Sequence, residues 1–212
     1  MNEKHSVDSV ALTELMRNPI ILRIVSILSI ASLSILELFE YGLALKDVKL
    51  QTTSDGRKDK STLKKPVKFQ GEWNLNPSSG YQFRTELSFE KGKQVIEIDS
   101  PSFLGGNGNR LGPMAYCVAG ISSCFIATFA TIAASQGVRL TKLNASVECG
   151  INFAKTFDVA DEPITEGITF RINAESDNAD KSELRRLLKM AEERCPVMYS
   201  MSHAIKVDAT VN

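Results

Sequence analysis

Cysteine is scarce in this chain: four residues in 212, at positions 117, 124, 149 and 195. That is too few for a disulfide framework, and no two are spaced as a CxxC pair or a zinc-binding cluster. Histidine is scarcer still, with only His5 and His203, so a histidine-rich metal centre is not expected, and no resident cofactor is implied. Lys plus Arg number 25 and so do Asp plus Glu. Without a charge excess, nothing global points to nucleic acid or to a membrane surface. A reducing, cytoplasmic compartment fits this cysteine usage, and there a pair of cysteines is more often catalytic than structural. Hydrophobic residues at 43% and charged residues at 24% suit a soluble globular protein with a normal core.

Long hydrophobic runs are also wanting. Residues 19–38 are apolar and serine-rich, but the uncharged stretch from Ile24 to Leu36 is only 13 residues, short for a membrane span. Arg23 and Glu37 bracket it, and no clean small-x-small cleavage site follows. It reads as a buried helix rather than a signal or anchor.

Three zones follow from the pattern. Residues 1–50, with no glycine before Gly42, read as a helical extension. Residues 51–66 are polar and basic and read as a linker or exposed loop. From 67 to 212 the pattern is that of an α+β domain. Val67, Phe69, Gly71, Trp73 and Leu75 alternate with polar residues, which predicts a half-buried strand. Tyr81 to Phe89 alternates again, and Lys91-Gly92-Lys93 turns the chain into a third antiparallel strand over Gln94–Asp99. After the loop at 105–109, Pro113 suits the first turn of a helix and Gly137 its C-terminal stop. This helix is apolar or small all round, which predicts burial on most sides, and Ala119, Gly120, Ser122 and Ser123 would allow another helix or chain to approach closely. Strands are expected at 140–154 and 164–175, a helix from about Ser182 interrupted at Cys195-Pro196, and a last strand from Ile205 to Val211.

The cysteines differ in promise. Cys124 lies about three turns into the helix, too deep for the helix N-terminus to ionise it; its reactivity needs a cation or hydrogen-bond donors, and the plain alternative is a small core residue. Cys195, with Pro196 behind it, is placed to cap a new helical turn through Val197 to Met201, where backbone N–H groups favour a thiolate; a buried cysteine at a helix break is the alternative. Cys117 and Cys149 read as packing residues.

These residues carry a resemblance. Gly112-Pro113-Met114, then Cys124 in GISSCF, then a helix ending in SQGV, with the Gly105-Gly106 loop before it and EERCPV at 192–197 after it, resemble the OsmC/Ohr superfamily over about residues 66–212. The resemblance implies an OsmC-like fold in an intertwined homodimer, with antiparallel sheets wrapped around central helices. It implies reduction of hydroperoxides, preferably organic ones, with Cys124 as peroxidatic nucleophile and Cys195 as resolving thiol. The reductant would be a small dithiol, a lipoyl group or a thioredoxin-like protein. Peroxidatic members carry a glutamate ten residues before the first cysteine to orient an activating arginine. Here that position is Met114, Ala115 follows, and the acid is absent. The candidate arginines are Arg84 and Arg110. Arg84 is out of phase with Phe83 and Leu87 and so faces away from the apolar side of its strand. Arg110 precedes Cys124 by 14 residues, about 20 Å if helical throughout, and reaches it only by a loop return or from a partner subunit.

Residues 10–53 resemble the start of an ArsR-type helix-turn-helix regulator, with Gly42 at the turn. Lys46, Lys49 and the basic residues of 51–66 would then meet phosphates, although a charge-rich loop of this kind is usually solvated. Two alternatives to a thiol peroxidase therefore stand: a redox-sensing DNA-binding regulator, and a non-catalytic binding protein for an apolar or sulfur-containing ligand.

Overall fold

The computed structural model describes residues 51–211. The apolar run at 19–38, the helical extension of 1–50 and nearly all of the helix-turn-helix resemblance lie outside the described residues. The segment read as a linker is not a loop throughout: residues 51–58 are helical, and a 3-10 turn follows at Lys60–Leu63, capped by the Asp59 side chain.

Three antiparallel strands come next, β1 (Gly71–Trp73), β2 (Phe83–Phe89) and β3 (Gly92–Ile98), in the order β1-β2-β3. Strict alternation along β2 separates two faces. Phe83, Thr85 and Leu87 stand opposite Ile98, Ile96 and Gln94, while Arg84 and Glu86 stand opposite Glu97 and Val95. Arg84 is thus on the face away from Phe83 and Leu87, as its phase in the sequence requires.

The first strand is much shorter than its alternation predicts. Only three residues pair, all exposed, and Val67 and Leu75 are 97% and 90% exposed. Asn74 ends the strand by turning its side chain onto Ser79 and the Tyr81 carbonyl. Apolar residues recur with the right period, but the described residues lay no second layer over them, so the predicted half-burial is not seen among them.

Helix α1 (Pro113–Ser135) begins at Pro113 and stops before Gly137, whose φ of 73° completes the turn. Strands β4 (Leu140–Ile151) and β5 (Thr165–Ser176) form a separate two-stranded antiparallel sheet. Helix α2 (Lys181–Arg194) is capped by Asp180, which accepts the N–H groups of Ser182 and Glu183. Helix α3 (Pro196–Ser202) follows a break of one residue, Cys195.

The core lies where α1, α2 and the β4–β5 sheet meet. It contains Phe125, Phe129, Ile132, Ala133, Val138, Leu184, Leu187, Ala191 and Cys195, with Phe170 set edge-on against Phe125 at 5.2 Å between ring centres. Each large side chain buried there contributes about 1.5–3 kcal/mol.

Three further expectations fail for one reason. Buried residues of α1 are confined to Phe125, Phe129, Ile132 and Ala133; Cys117 is exposed rather than packed; and Ile205 to Val211 pairs with no strand, Val211 being fully exposed. In each case the apolar pattern is present, and the surface that would cover it is not supplied by the described residues.

Candidate functional site

The helix break at Cys195-Pro196 decides the local geometry. Proline cannot continue α2 because it lacks an N–H, so Cys195 adopts an extended backbone (φ −76°, ψ 124°) and α3 starts afresh. That kink turns the Cys195 side chain inward, where it is completely buried against the core. Its sulfur lies 3.7 Å from the sulfur of Cys124. The two are not bonded, and all four cysteines are free. Two thiols 71 positions apart in the chain are therefore in contact, one buried and the other, Cys124, partly open.

Burial is the largest influence on Cys124 and pushes its thiol above the usual range. The hydrogen bond with Cys195 and the charge Cys195 would carry act in the same direction. A backbone hydrogen bond from Val197 opposes them. No cation among the described residues adds to these influences. The charged side chains of α2 nearest in sequence, Lys189, Glu192, Glu193 and Arg194, are exposed. The α3 start does supply a donor, as Cys195-Pro196 suggests, but the donor serves Cys124. Cys195 itself makes no side-chain capping bond.

The two candidate arginines are found together, away from the thiols in their own chain. Arg110 gives Nε and Nη2 to Glu97 Oε2, each at 3.3 Å, and Nη1 to the Asn109 carbonyl at 3.0 Å. Arg84 Nε is 3.9 Å from the other oxygen of the same carboxylate. Beneath them Asp99 is completely buried. Its Oδ2 accepts the N–H groups of Asn107 and Asn109 at 3.0 and 2.9 Å, and its own N–H reaches the Leu111 carbonyl. The other oxygen, Oδ1, is buried with no hydrogen-bond partner among the described residues.

Sequence reasoning missed Val197, Glu97 and Asp99. Val197 acts through its backbone, which no side-chain pattern reveals. Glu97 alternates with Ile96 and Ile98 on β3, and Asp99 follows the strand directly, so Glu97 reads as an ordinary solvent-facing residue. The Gly/Asn-rich loop after Asp99 was the available signal, since a carboxylate before such a loop often binds its N–H groups. Met114, where the resemblance puts a carboxylate, is an exposed thioether.

A family model described as OsmC-like protein matches residues 106–210. Among solved structures, an OsmC-like protein from Mycoplasma pneumoniae is 17% identical with a TM-score of 0.44, covering 65% of this chain and 89% of that one. An organic hydroperoxide resistance protein OsmC from Legionella pneumophila is 19% identical with a TM-score of 0.47, covering 65% and 91%. An OsmC-like protein of unknown function from Vibrio cholerae is 20% identical with a TM-score of 0.46, covering 65% and 94%. No curated protein matches the chain.

Proposed function

We propose that the chain, whose residues 106–210 match a family model described as OsmC-like protein, is a thiol-dependent peroxidase reducing organic hydroperoxides through Cys124 and Cys195. The supporting observation is the 3.7 Å contact between their sulfurs. A disulfide needs about 2.05 Å between sulfurs, so the two sulfurs would have to close further to bond.

The chemistry runs in three steps. The Cys124 thiolate attacks the O–O bond of ROOH, breaking it; sulfur takes one oxygen to become a sulfenic acid, and RO⁻ leaves and is protonated to the alcohol. Cys195 then attacks that sulfur, releasing water and forming the Cys124–Cys195 disulfide. Finally an external dithiol is oxidised and the disulfide reduced. A small dithiol, a lipoyl group or a thioredoxin-like protein would fill that last role. Burial of Cys195 keeps it from reacting first, and its contact with Cys124 shortens the life of the sulfenic acid.

The working form is a homodimer in this reading. Helix α1 has a mean hydropathy of 1.9 over its most apolar window, of which only 22% is buried by the described residues. A second copy that covers α1, the exposed apolar side chains of the first sheet and the unpaired 205–211 segment answers all three uncovered surfaces together.

The test is hydroperoxide turnover by the full chain. Cumene hydroperoxide should consume the free thiols of Cys124 and Cys195 and yield one disulfide per chain. Cys124→Ser should abolish turnover, and Cys195→Ser should leave a sulfenic acid that dimedone captures. If wild type consumes no organic hydroperoxide with dithiothreitol, dihydrolipoate or thioredoxin, the proposal fails.

A second reading, a non-catalytic binding protein for an apolar ligand, draws on the raised Cys124 pKa. Slow labelling of Cys124 at neutral pH, with no peroxide consumption, would favour it.

A further inference from the structure

Two thiols 3.7 Å apart are a chelating pair as well as a redox pair. Two metal–sulfur bonds of about 2.3 Å that meet at a tetrahedral angle hold their sulfurs about 3.8 Å apart. Cys124 and Cys195 already stand at that spacing, whereas a disulfide demands closure to about 2.05 Å.

The surroundings select the ion. Among the described residues no group of three or more His, Cys, Asp or Glu side chains is placed to hold a metal. An ion that takes four such ligands, as structural zinc does, is therefore poorly served. Cu(I) is different, because two thiolates satisfy it, and thiolate and thioether ligands select it over harder ions. Cys195 is completely buried in a cluster with Phe125, Phe129, Leu187 and Ala191, and Met198 is packed against that cluster. Hydrocarbon walls of this kind disfavour a hydrated hard cation and suit a soft one that sheds its water. The thioether of Met198 belongs to the ligand class that favours the same ion.

Charge points the same way. Burial opposes ionisation of Cys124, and no cation among the described residues offsets it. A monovalent ion held by both sulfurs supplies positive charge at the place where it is short. Two thiols and one Cu(I) give a bis-thiolate complex with one negative charge, and two protons pass to water. Entry is by way of Cys124, the partly open sulfur. The other two thiols stand apart, Cys117 exposed two turns earlier on α1 and Cys149 on β4.

We propose that the reduced Cys124–Cys195 pair is a binding site for Cu(I), and that this ion and the hydroperoxide compete for the same two sulfurs. Bound copper occupies the lone pairs of both thiolates and shuts off attack on the O–O bond. Hydroperoxide that reaches the copper-free thiols joins the sulfurs and abolishes the site. The chain therefore takes up the ion only in its reduced state. This inference deepens the two-cysteine reading: the competition rests on that reading, and the ion site rests on the sulfur contact.

The experiment titrates the reduced full chain, without oxygen, into the coloured Cu(I) complex of bicinchoninate and follows the loss of its absorbance. Wild type should withdraw one Cu(I) per chain. The double variant Cys117→Ser/Cys149→Ser should withdraw the same amount, while Cys124→Ser and Cys195→Ser should each lose it. Wild type that leaves the absorbance unchanged overturns the proposal, and so does a full equivalent withdrawn by Cys124→Ser. Should Cys195→Ser fail to fold, Cys124→Ser, altered at the partly open sulfur, carries the same test.

Labelling reads the competition directly. Copper loading should protect Cys124 from iodoacetamide, seen by mass spectrometry of its peptide, and full labelling of the loaded chain overturns the proposal. The chain oxidised to the Cys124–Cys195 disulfide should withdraw no copper; an unchanged equivalent after oxidation overturns it as well. Failure of the two-cysteine reading is distinct: metal-free wild type would then consume no cumene hydroperoxide and form no disulfide, while the copper titration of the reduced chain kept its outcome.

Discussion

The sulfur of Cys124 lies 3.7 Å from that of Cys195, and the backbone influence that lowers the Cys124 pKa comes from Val197, in the first turn of the helix that Cys195 caps. The break at Cys195-Pro196 thus does two things. It buries one thiol, and it offers a hydrogen-bond donor to the other. Division of labour between an open sulfur and a buried one is set by backbone geometry before any substrate arrives.

The balance of influences on Cys124 gives a first prediction. Burial raises its pKa most, and the hydrogen bond and charge of Cys195 raise it further. Cys195→Ala removes the last two and leaves the first. The thiolate is favoured at lower pH, so alkylation of Cys124 should become faster at pH 8 and reach its plateau earlier than in wild type. A plateau unmoved or shifted to higher pH would mean that the two sulfurs do not interact in solution.

A second prediction concerns the wall that holds Cys195 in place. Leu187 is completely buried in the same cluster as Cys195 and Phe129. Leu187→Ala should cost about 2–5 kcal/mol in urea unfolding, from lost burial and the cavity left behind. Disulfide formation after peroxide should slow as well, since the cavity lets the Cys195 sulfur wander. A loss below about 1 kcal/mol would show that the site collapses freely around the gap.

How much of this was legible in the sequence differs by element. Helix α1 was readable at both ends because Pro113 and Gly137 act locally, and β4, β5 and α2 were readable from their periods. The faces were readable but their burial was not. Val67, Leu75, Ile205 and Val207 have the right alternation, and only a covering layer decides whether such residues are buried. Cys117 was misjudged for the same reason. The meeting of Cys124 with Cys195 depends on how α1 packs against the α2–α3 break, a long-range fact that no local pattern encodes; the resemblance anticipated it. The Glu97–Arg110 pair is hidden further still, because β3 alone gives no hint of what its charged face holds.

Acid should weaken the domain through Asp180, which gives a third prediction. The Glu183 N–H, then the Ser182 hydroxyl, hold this carboxyl below the usual carboxylate range. A group with a depressed folded-state pKa stabilises above its unfolded value, near about pH 3.9, and that contribution is lost as pH falls through the folded value. Asp180→Asn keeps an acceptor for the cap but cannot titrate, so its melting temperature should fall less steeply below about pH 4 than that of wild type. Asp180→Ala should melt lower at every pH, because the capping acceptor is gone. Parallel curves for wild type and Asp180→Asn would mean that the acid sensitivity arises elsewhere.

The uncovered side of α1 supplies the fourth prediction. Gly120 is exposed, and a Cβ added there meets nothing within 4 Å among the described residues. Within one chain Gly120→Leu should even favour the helix, since glycine is about 1 kcal/mol worse than alanine in a helix interior and leucine ranks close to alanine. Against a second copy the same side chain fills the space that a close helix approach requires. Gly120→Leu should therefore retain its circular dichroism spectrum while sedimenting as a monomer at concentrations where wild type sediments as a dimer. An unchanged dimer would place the contact between copies on another face.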